Sequence, residues 1–343
     1  MKNIDQLVRP NILQLQPYAS ARSEFKGKAD IFLDANESPY ESNYNRYPDP
    51  LQWKLKEAIS SIKQVAPEHI FLGNGSDEAI DLLLRIFCEP GEDHIVTLPP
   101  TYGMYRVSAG IANVQVKEVS LDARFQPRPA AILEQCDEHS KLLFICSPNN
   151  PTGNTIPSET IAELATSFHG ITVVDEAYID FSFQQSSISL LEEHPRLVVL
   201  QTFSKAWGMA GIRLGMAFAS TGIIDLFNKV KPPYNINQLT QDAALQALEN
   251  QEQVAQQITQ ILGQRTLLQQ YLSSLDYVER IYPSEANFIL VKMKKPREVY
   301  QYLMEKGIIV RDRSRVELCE GCLRITIGTP EENEKLFQTL LTY

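Results

Sequence analysis

No apolar run in the 343 residues approaches the roughly 18 needed to cross a bilayer, and the N-terminal segment lacks the continuous apolar block of a signal peptide. A cytoplasmic location is the expectation. Cysteine is scarce: Cys88, Cys136, Cys146, Cys319 and Cys322 form an odd, scattered set that fits reduced thiols better than a disulfide framework. The "CEGC" pair has redox or zinc spacing, but no second ligand pair lies nearby, so no metal is expected and ordinary packing is the first reading. Basic residues fall short of acidic ones, 32 Lys and Arg against 42 Asp and Glu, for a net charge of −10. Such a balance repels phosphate backbones and anionic membranes alike, which argues against nucleic acid and membrane as partners. Neither an internal repeat nor a low-complexity tract is present.

What the chain does have is a 43 % hydrophobic composition over a length that suits one large domain and one smaller one. From about residue 70, β-type runs alternate with helical patterns, the rhythm of an α/β fold with a mostly parallel sheet flanked by helices. The clearest strand candidates are "HIVTL" (94–98), "KLLFIC" (141–146), "ITVVD" (171–175), "RLVVLQT" (196–202) and "LGMAFAS" (214–220). Their Val, Ile, Leu and Phe suit strands buried on both faces. Between them "PSETIAELATSFHG" (157–170) predicts a helix with a proline at its start, apolar residues at 161, 164, 165 and 168, and a terminating glycine. Past residue 235 a long, Gln-rich helical stretch opens a small α+β unit containing "NFILVKM" (287–293), a helix over 296–307, "IIVRD" (308–312) and "CLRITIG" (322–328). The expected division is an N-terminal arm with part of the small domain (1–45), a large domain (46–237) and a small C-terminal domain (238–343).

In an open parallel sheet, ligands bind beyond the carboxyl ends of the strands. "SPNNPTG" follows one strand candidate, "EAY" a second and "FSK" a third, and "GNGSDEAI" heads an amphipathic helix. Free amides at that helix N-terminus, around Gly75, Ser76 and Asp77, suit an anion such as phosphate; the plainer alternative makes Ser76 or Asp77 an N-cap. Arg213, between glycines in "GIRLG", carries the fork geometry that grips phosphate oxygens. Asp175 emerges from a buried strand and needs a cationic partner. A lysine, Lys205, near phosphate anchors and a buried aspartate is the set that pyridoxal phosphate requires.

These residues resemble the fold-type I pyridoxal-phosphate enzymes and, within them, the histidinol-phosphate aminotransferases. The likeness runs through "PYASAR" (17–22), "FLDANESPY" (32–40), "RYPDP" (46–50), "PPTYGMY" (99–105), "SPNNPTG" (147–153), "VVDEAYIDF" (173–181), "TFSKAWGMAGIRLG" (202–215), "RDR" (311–313) and "GCLRITIGT" (321–329). The resemblance implies that Lys205 bonds the cofactor's aldehyde and that Asp175 partners the pyridine nitrogen. Asn150 and Tyr178 would serve the phenolic oxygen, with Tyr102 stacked on the ring. Gly75, Ser76, Asp77, Thr202, Ser204 and Arg213 would hold the phosphate. Tyr47 would reach the phosphate of a neighbouring subunit, which implies a homodimer with shared active sites. Tyr18, Arg311 and Arg324 would grip the substrate's phosphate, and the arginines would take glutamate's carboxylates in the second half-reaction; as isolated residues, Arg311 and Arg324 equally suit structural ion pairs.

The activity so implied is transamination between L-histidinol phosphate and 2-oxoglutarate, a step of histidine biosynthesis, with freed Lys205 as general base. Two enzymes of the same fold, an aromatic-amino-acid aminotransferase and a threonine-phosphate decarboxylase, are the alternatives. A regulator built on such a domain would need a DNA-binding module, for which there is no room before residue 17.

Overall fold

The computed structural model describes residues 3–18 and 30–343, so residues 19–22 of the "PYASAR" motif lie outside the described residues. Seven strands form the larger sheet: β1 (Ile70–Asn74), β2 (His94–Thr97), β3 (Gln115–Glu118), β4 (Ser140–Cys146), β5 (Ile171–Asp175), β6 (Leu197–Thr202) and β7 (Leu214–Ala219). Their spatial order is β1-β7-β6-β5-β4-β2-β3. Neighbours pair in parallel from β6 through β3, whereas β7 runs antiparallel to both β6 and β1, so one strand of the seven is reversed.

Burial explains why these segments are strands. Every residue of β5, β6 and β7 is buried, and in β4 Lys141 alone is partly exposed. Successive side chains sort into two separate cores: Leu143, Ile145, Val174 and Val199 face one, and Leu142, Phe144, Val173 and Val198 face the other. Alternation to two apolar layers is what a sheet covered on both faces demands, and each such side chain contributes about 1.5–3 kcal/mol. Two strands escape a reading based on apolar runs because they are edge strands: β3 is "QVKE" and β8 (Val278–Ile281) is "VERI", both at least partly exposed throughout. β1, at the other edge, is buried but short and ends in a polar turn.

The expected helix over 157–170 spans Ser158–Ser167, with Ile161, Leu164 and Ala165 on its buried face. Gly170 does not terminate it. Phe168 is already extended, and a Cβ on Gly170 would sit 2.4 Å from the Lys141 carbonyl oxygen, so this glycine lets the start of β5 approach β4.

The Gln-rich stretch folds as two helices, Gln238–Leu248 and Gln251–Ser273. Beyond them a second sheet, order β10-β11-β9-β8, contains β9 (Phe288–Met293), β10 (Arg311–Asp312) and β11 (Cys322–Thr326), all antiparallel. One face packs Ile289, Val291, Leu323 and Ile325 against Leu268, Leu272, Leu303 and Leu336 of its covering helices. The other presents Leu290, Cys322 and Arg324 toward the larger sheet's core. The run "IIVRD" keeps only two residues in the ladder. The preceding helix, Pro296–Glu305, ends in a turn with Gly307 at φ +75°, and the Ile308 N–H is still bonded back to Leu303 O at 2.8 Å. Among the described residues no helix is long and apolar enough to cross a membrane.

Candidate active site

β4, β5 and β6 end side by side at Cys146, Asp175 and Thr202, and β1 ends against β7 at the same rim. The pocket at that rim is lined by Gly75, Ser76, Asp77, Tyr102, Asn150, Asp175, Tyr178, Thr202, Ser204, Lys205 and Arg213, together with Cys146, Ala177 and Ala210. Every residue that sequence reasoning assigned to the cofactor, apart from Tyr47, therefore meets in one cavity.

One end of the pocket is built for an anion. Gly75 leaves β1 at φ +72° and begins the helix Ser76–Phe87 with no side-chain cap, so neither Ser76 nor Asp77 serves as the N-cap. The first-turn amides stay open, with the positive end of the helix dipole behind them. Gly75 donates its N–H to the Arg213 carbonyl at 2.7 Å, and a Cβ there would lie 2.7 Å from the Arg213 Nη2 atom. The turn thus requires glycine for both its φ and its closeness to the guanidinium. Arg213, itself at φ 55°, is held only loosely, 3.5 Å from Asp77 Oδ2 and 3.4 Å from the Ala210 carbonyl. Thr202 and Ser204 add hydroxyls linked to each other at 3.0 Å. Asp77, whose carboxylate also lines this end, accepts the Tyr102 hydroxyl at 3.2 Å through its other oxygen. The amides, hydroxyls and guanidinium together form the donor chemistry that a phosphate monoester needs.

At the floor, Asp175 is 2 % exposed, accepting the Tyr105 hydroxyl at 2.7 Å and the Ala177 N–H at 3.1 Å. Burial pushes its carboxyl up, and the two donors oppose that shift by stabilising the ionised form. A protonated ring nitrogen would supply the missing cation. Lys205 projects over the Tyr178 ring, Nζ 5.7 Å from its centre. Burial, then the nearby Arg324 charge, lowers its ammonium pKa, while Asp175 works against the change; the shift makes the proton easier to remove than from a solvated lysine. Asn150 donates to the Tyr178 hydroxyl at 3.3 Å and accepts from Arg324 Nη1, which joins the small sheet to the pocket. Burial raises the Tyr178 hydroxyl, so it stays a proton donor at neutral pH.

Arg324 faces Arg311 across the β11–β10 pair and lies over the Phe288 ring, 5.1 Å from its centre. The two polar tyrosines lie elsewhere. Tyr18 is 74 % exposed, and Tyr47, half exposed, stacks on Tyr234 at 4.4 Å in a separate depression of the surface. Cys319 and Cys322 are buried among apolar side chains of the core with Leu290, their thiols pushed up to about 12 and about 11 chiefly by burial. They act as packing groups.

Sequence reasoning missed Tyr105. It lies on the helix Met104–Ile111, fully buried and stacked on Phe144 at 4.6 Å, and only its hydroxyl's aim at Asp175 separates it from a core aromatic. Nothing in "PPTYGMY" marks it apart from Tyr102. Tyr105→Phe removes a donor to the ionised form of Asp175, so that carboxyl titrates higher. The acid limb of the kcat/KM profile is therefore expected to move up by about half to one pH unit. An unmoved limb in a folded variant would leave Tyr105 as packing alone.

A family profile described as Aminotransferase class I and II matches residues 30–340. The chain is 54 % identical over 340 residues to a histidinol-phosphate aminotransferase of Parabacteroides distasonis, covering 99 % of each. Among solved structures it is similar to the histidinol-phosphate aminotransferase from Clostridium acetobutylicum, with a TM-score of 0.80 at 24 % identity over 87 % of this chain and 90 % of that one. The same enzyme from Sinorhizobium meliloti, in complex with pyridoxal-5'-phosphate, gives 0.79 at 23 % identity over 88 % and 84 %. At these identities the two structures bear on the fold alone.

Proposed function

The chain belongs to the class I and II aminotransferase family, and on that premise we propose that it transfers the amino group of L-histidinol phosphate to 2-oxoglutarate. The products are imidazole-acetol phosphate and L-glutamate, and the reaction is a cytoplasmic step of histidine biosynthesis. The observation that carries this reading is the pairing of the Lys205 pocket with arginines of the small sheet that meet no carboxylate among the described residues.

The donor set fits pyridoxal phosphate: the amides at Gly75, Ser76 and Asp77, with Thr202, Ser204 and Arg213, would hold its phosphate. Asp175 would pair with its ring nitrogen, Asn150 and Tyr178 with its phenolic oxygen, and Tyr102 would cover the ring. When bound, the cofactor supplies an aldehyde that exchanges amino groups and a ring that spreads the electron pair left on the substrate carbon. Asp175, ionised and buried at the floor of the pocket, would favour a proton on the ring nitrogen. Lys205 Nζ, the one amine lining the pocket among the described residues, would accept the proton from the amine-bearing carbon of the substrate and hold it for return, acting as base and then as acid. Arg311 and Arg324 hold the substrate phosphate and later the carboxylates of 2-oxoglutarate. Tyr47 and Tyr18 lie outside the pocket of their own chain, which supports a homodimer in which they complete the neighbour's site. The two sheets support a large domain over 46–237 and a small one over 238–343 joined by the arm 1–45.

The test is the absorbance of the bound cofactor during addition of L-histidinol phosphate with no keto acid present. Conversion to the amino form in a single turnover is expected. A cofactor band that responds only to aromatic amino acids or to threonine phosphate would reassign the substrate and leave the fold and the cofactor in place.

A further inference from the structure

The "RDR" motif contains a second arginine to which the reading above gives no part. Register puts it on the working face of the small sheet. Arg311 pairs with Arg324 and Asp312 with Leu323, and the next bond, Arg313 N–H to the Cys322 carbonyl at 2.9 Å, continues the ladder. Side chains alternate along a strand, so Arg311 and Arg313 share one face with Arg324, while Asp312 shares the opposite face with Leu323. The backbone around Arg313 is pinned further on, since its carbonyl accepts the Val316 N–H at 2.9 Å. The Asp312 carboxylate is engaged at the Ser314 N–H, at 2.8 Å.

Three guanidiniums on one face without a carboxylate are costly neighbours. Among the described residues none of the three has a salt-bridge partner, and the Arg313 Nε atom is buried with no hydrogen bond. Burial, then the charges of Arg324 and Arg311, lowers the proton affinity of Arg313. An anion between them removes the penalty.

We propose that Arg313 is a third anion-binding arginine that, with Arg311 and Arg324, selects a dianionic phosphate group over a singly charged one. The proposal rests on the substrate-binding role given above to Arg311 and Arg324, and it adds the residue that sets how strongly charge is counted. Two guanidiniums balance a dianion in free solution; a third, on a backbone bonded to Cys322 and Val316, favours the doubly charged form of the ligand over a carboxylate.

The test compares wild-type holoenzyme with R313Q and R313K, with the cofactor's own phosphate filling the Gly75 turn. The readouts are KM and kcat for L-histidinol phosphate and inhibition constants for inorganic phosphate and for acetate, which carries one charge. For R313Q, KM and the phosphate inhibition constant are expected to rise together by about tenfold or more. Acetate inhibition and kcat should change by less than about threefold. R313K, which keeps the charge and loses the fork, should recover part of the loss. A phosphate inhibition constant that stays put in a cofactor-loaded variant overturns the proposal, as does equal weakening toward phosphate and acetate. Should R313Q fail to fold, R313K alone decides: an unchanged phosphate constant there also overturns it. If the wild type does not turn over L-histidinol phosphate but its phosphate affinity still depends on Arg313, the assigned reaction falls and the anion site stands.

Discussion

Lys205→Ala is expected to lose at least about 10⁴-fold in turnover, equivalent to roughly 5 kcal/mol of barrier, because one amine performs two tasks that nothing else in the pocket takes over. Lys205 is the only lysine lining the pocket among the described residues, and the tyrosines that line it, Tyr178 and Tyr102, hold their protons through burial. Neither can act as the base at neutral pH. The fold should tolerate the change, since the loop is tied by backbone bonds that alanine keeps, the Gly208 N–H to the Lys205 carbonyl and the Met209 N–H to the Phe203 carbonyl. The variant is expected to bind pyridoxal phosphate noncovalently through the anion turn. Turnover near wild type in the purified, loaded protein would remove Lys205 from the mechanism.

Asp175→Asn is the second large effect, about 10²–10³-fold in kcat, or roughly 3–4 kcal/mol. An amide of the same shape accepts the Ala177 N–H as before and accommodates the Tyr105 hydroxyl as an acceptor, so packing survives. What it cannot do is keep a proton on a pyridine nitrogen, because it carries no charge. Cofactor retention should remain close to wild type, since the phosphate donors lie on other elements. Single-turnover kinetics separate this loss from any effect on product release, and an unchanged rate there would refute the role of Asp175.

The gathering of the site was legible because it depends on a regularity of parallel sheets. The carboxyl ends of neighbouring parallel strands meet at one rim, and the end of β5 and the segments after β4 and β6 carry Asp175, Asn150 and Lys205. The anion turn was legible for a local reason: glycines at the head of an amphipathic helix are read without knowing what packs nearby. Tertiary information was needed elsewhere. Tyr105 could not be told from a core aromatic until Asp175 was seen opposite it. The edge strands β3 and β8 lack apolar runs because one side of each meets solvent. The truncation of "IIVRD" reflects a turn that keeps Ile308 tied to the preceding helix, a contact no propensity encodes. Strand order likewise cannot be read from the strands themselves.

The single reversed strand has a consequence for distance. β6 and β7 are joined by residues 203–213, a return short enough for antiparallel neighbours, whereas a parallel connection takes a dozen or more residues and usually a helix. Reversal starts β7 at the rim where β6 stops. Had β7 run with its neighbours, Arg213 would enter the sheet at the far end, six residues or about 20 Å from Lys205. As built, the lysine and the phosphate arginine sit at the two ends of one short hairpin connection. Closing that small loop costs little chain entropy, so their spacing is set by local structure and not by the packing of distant segments.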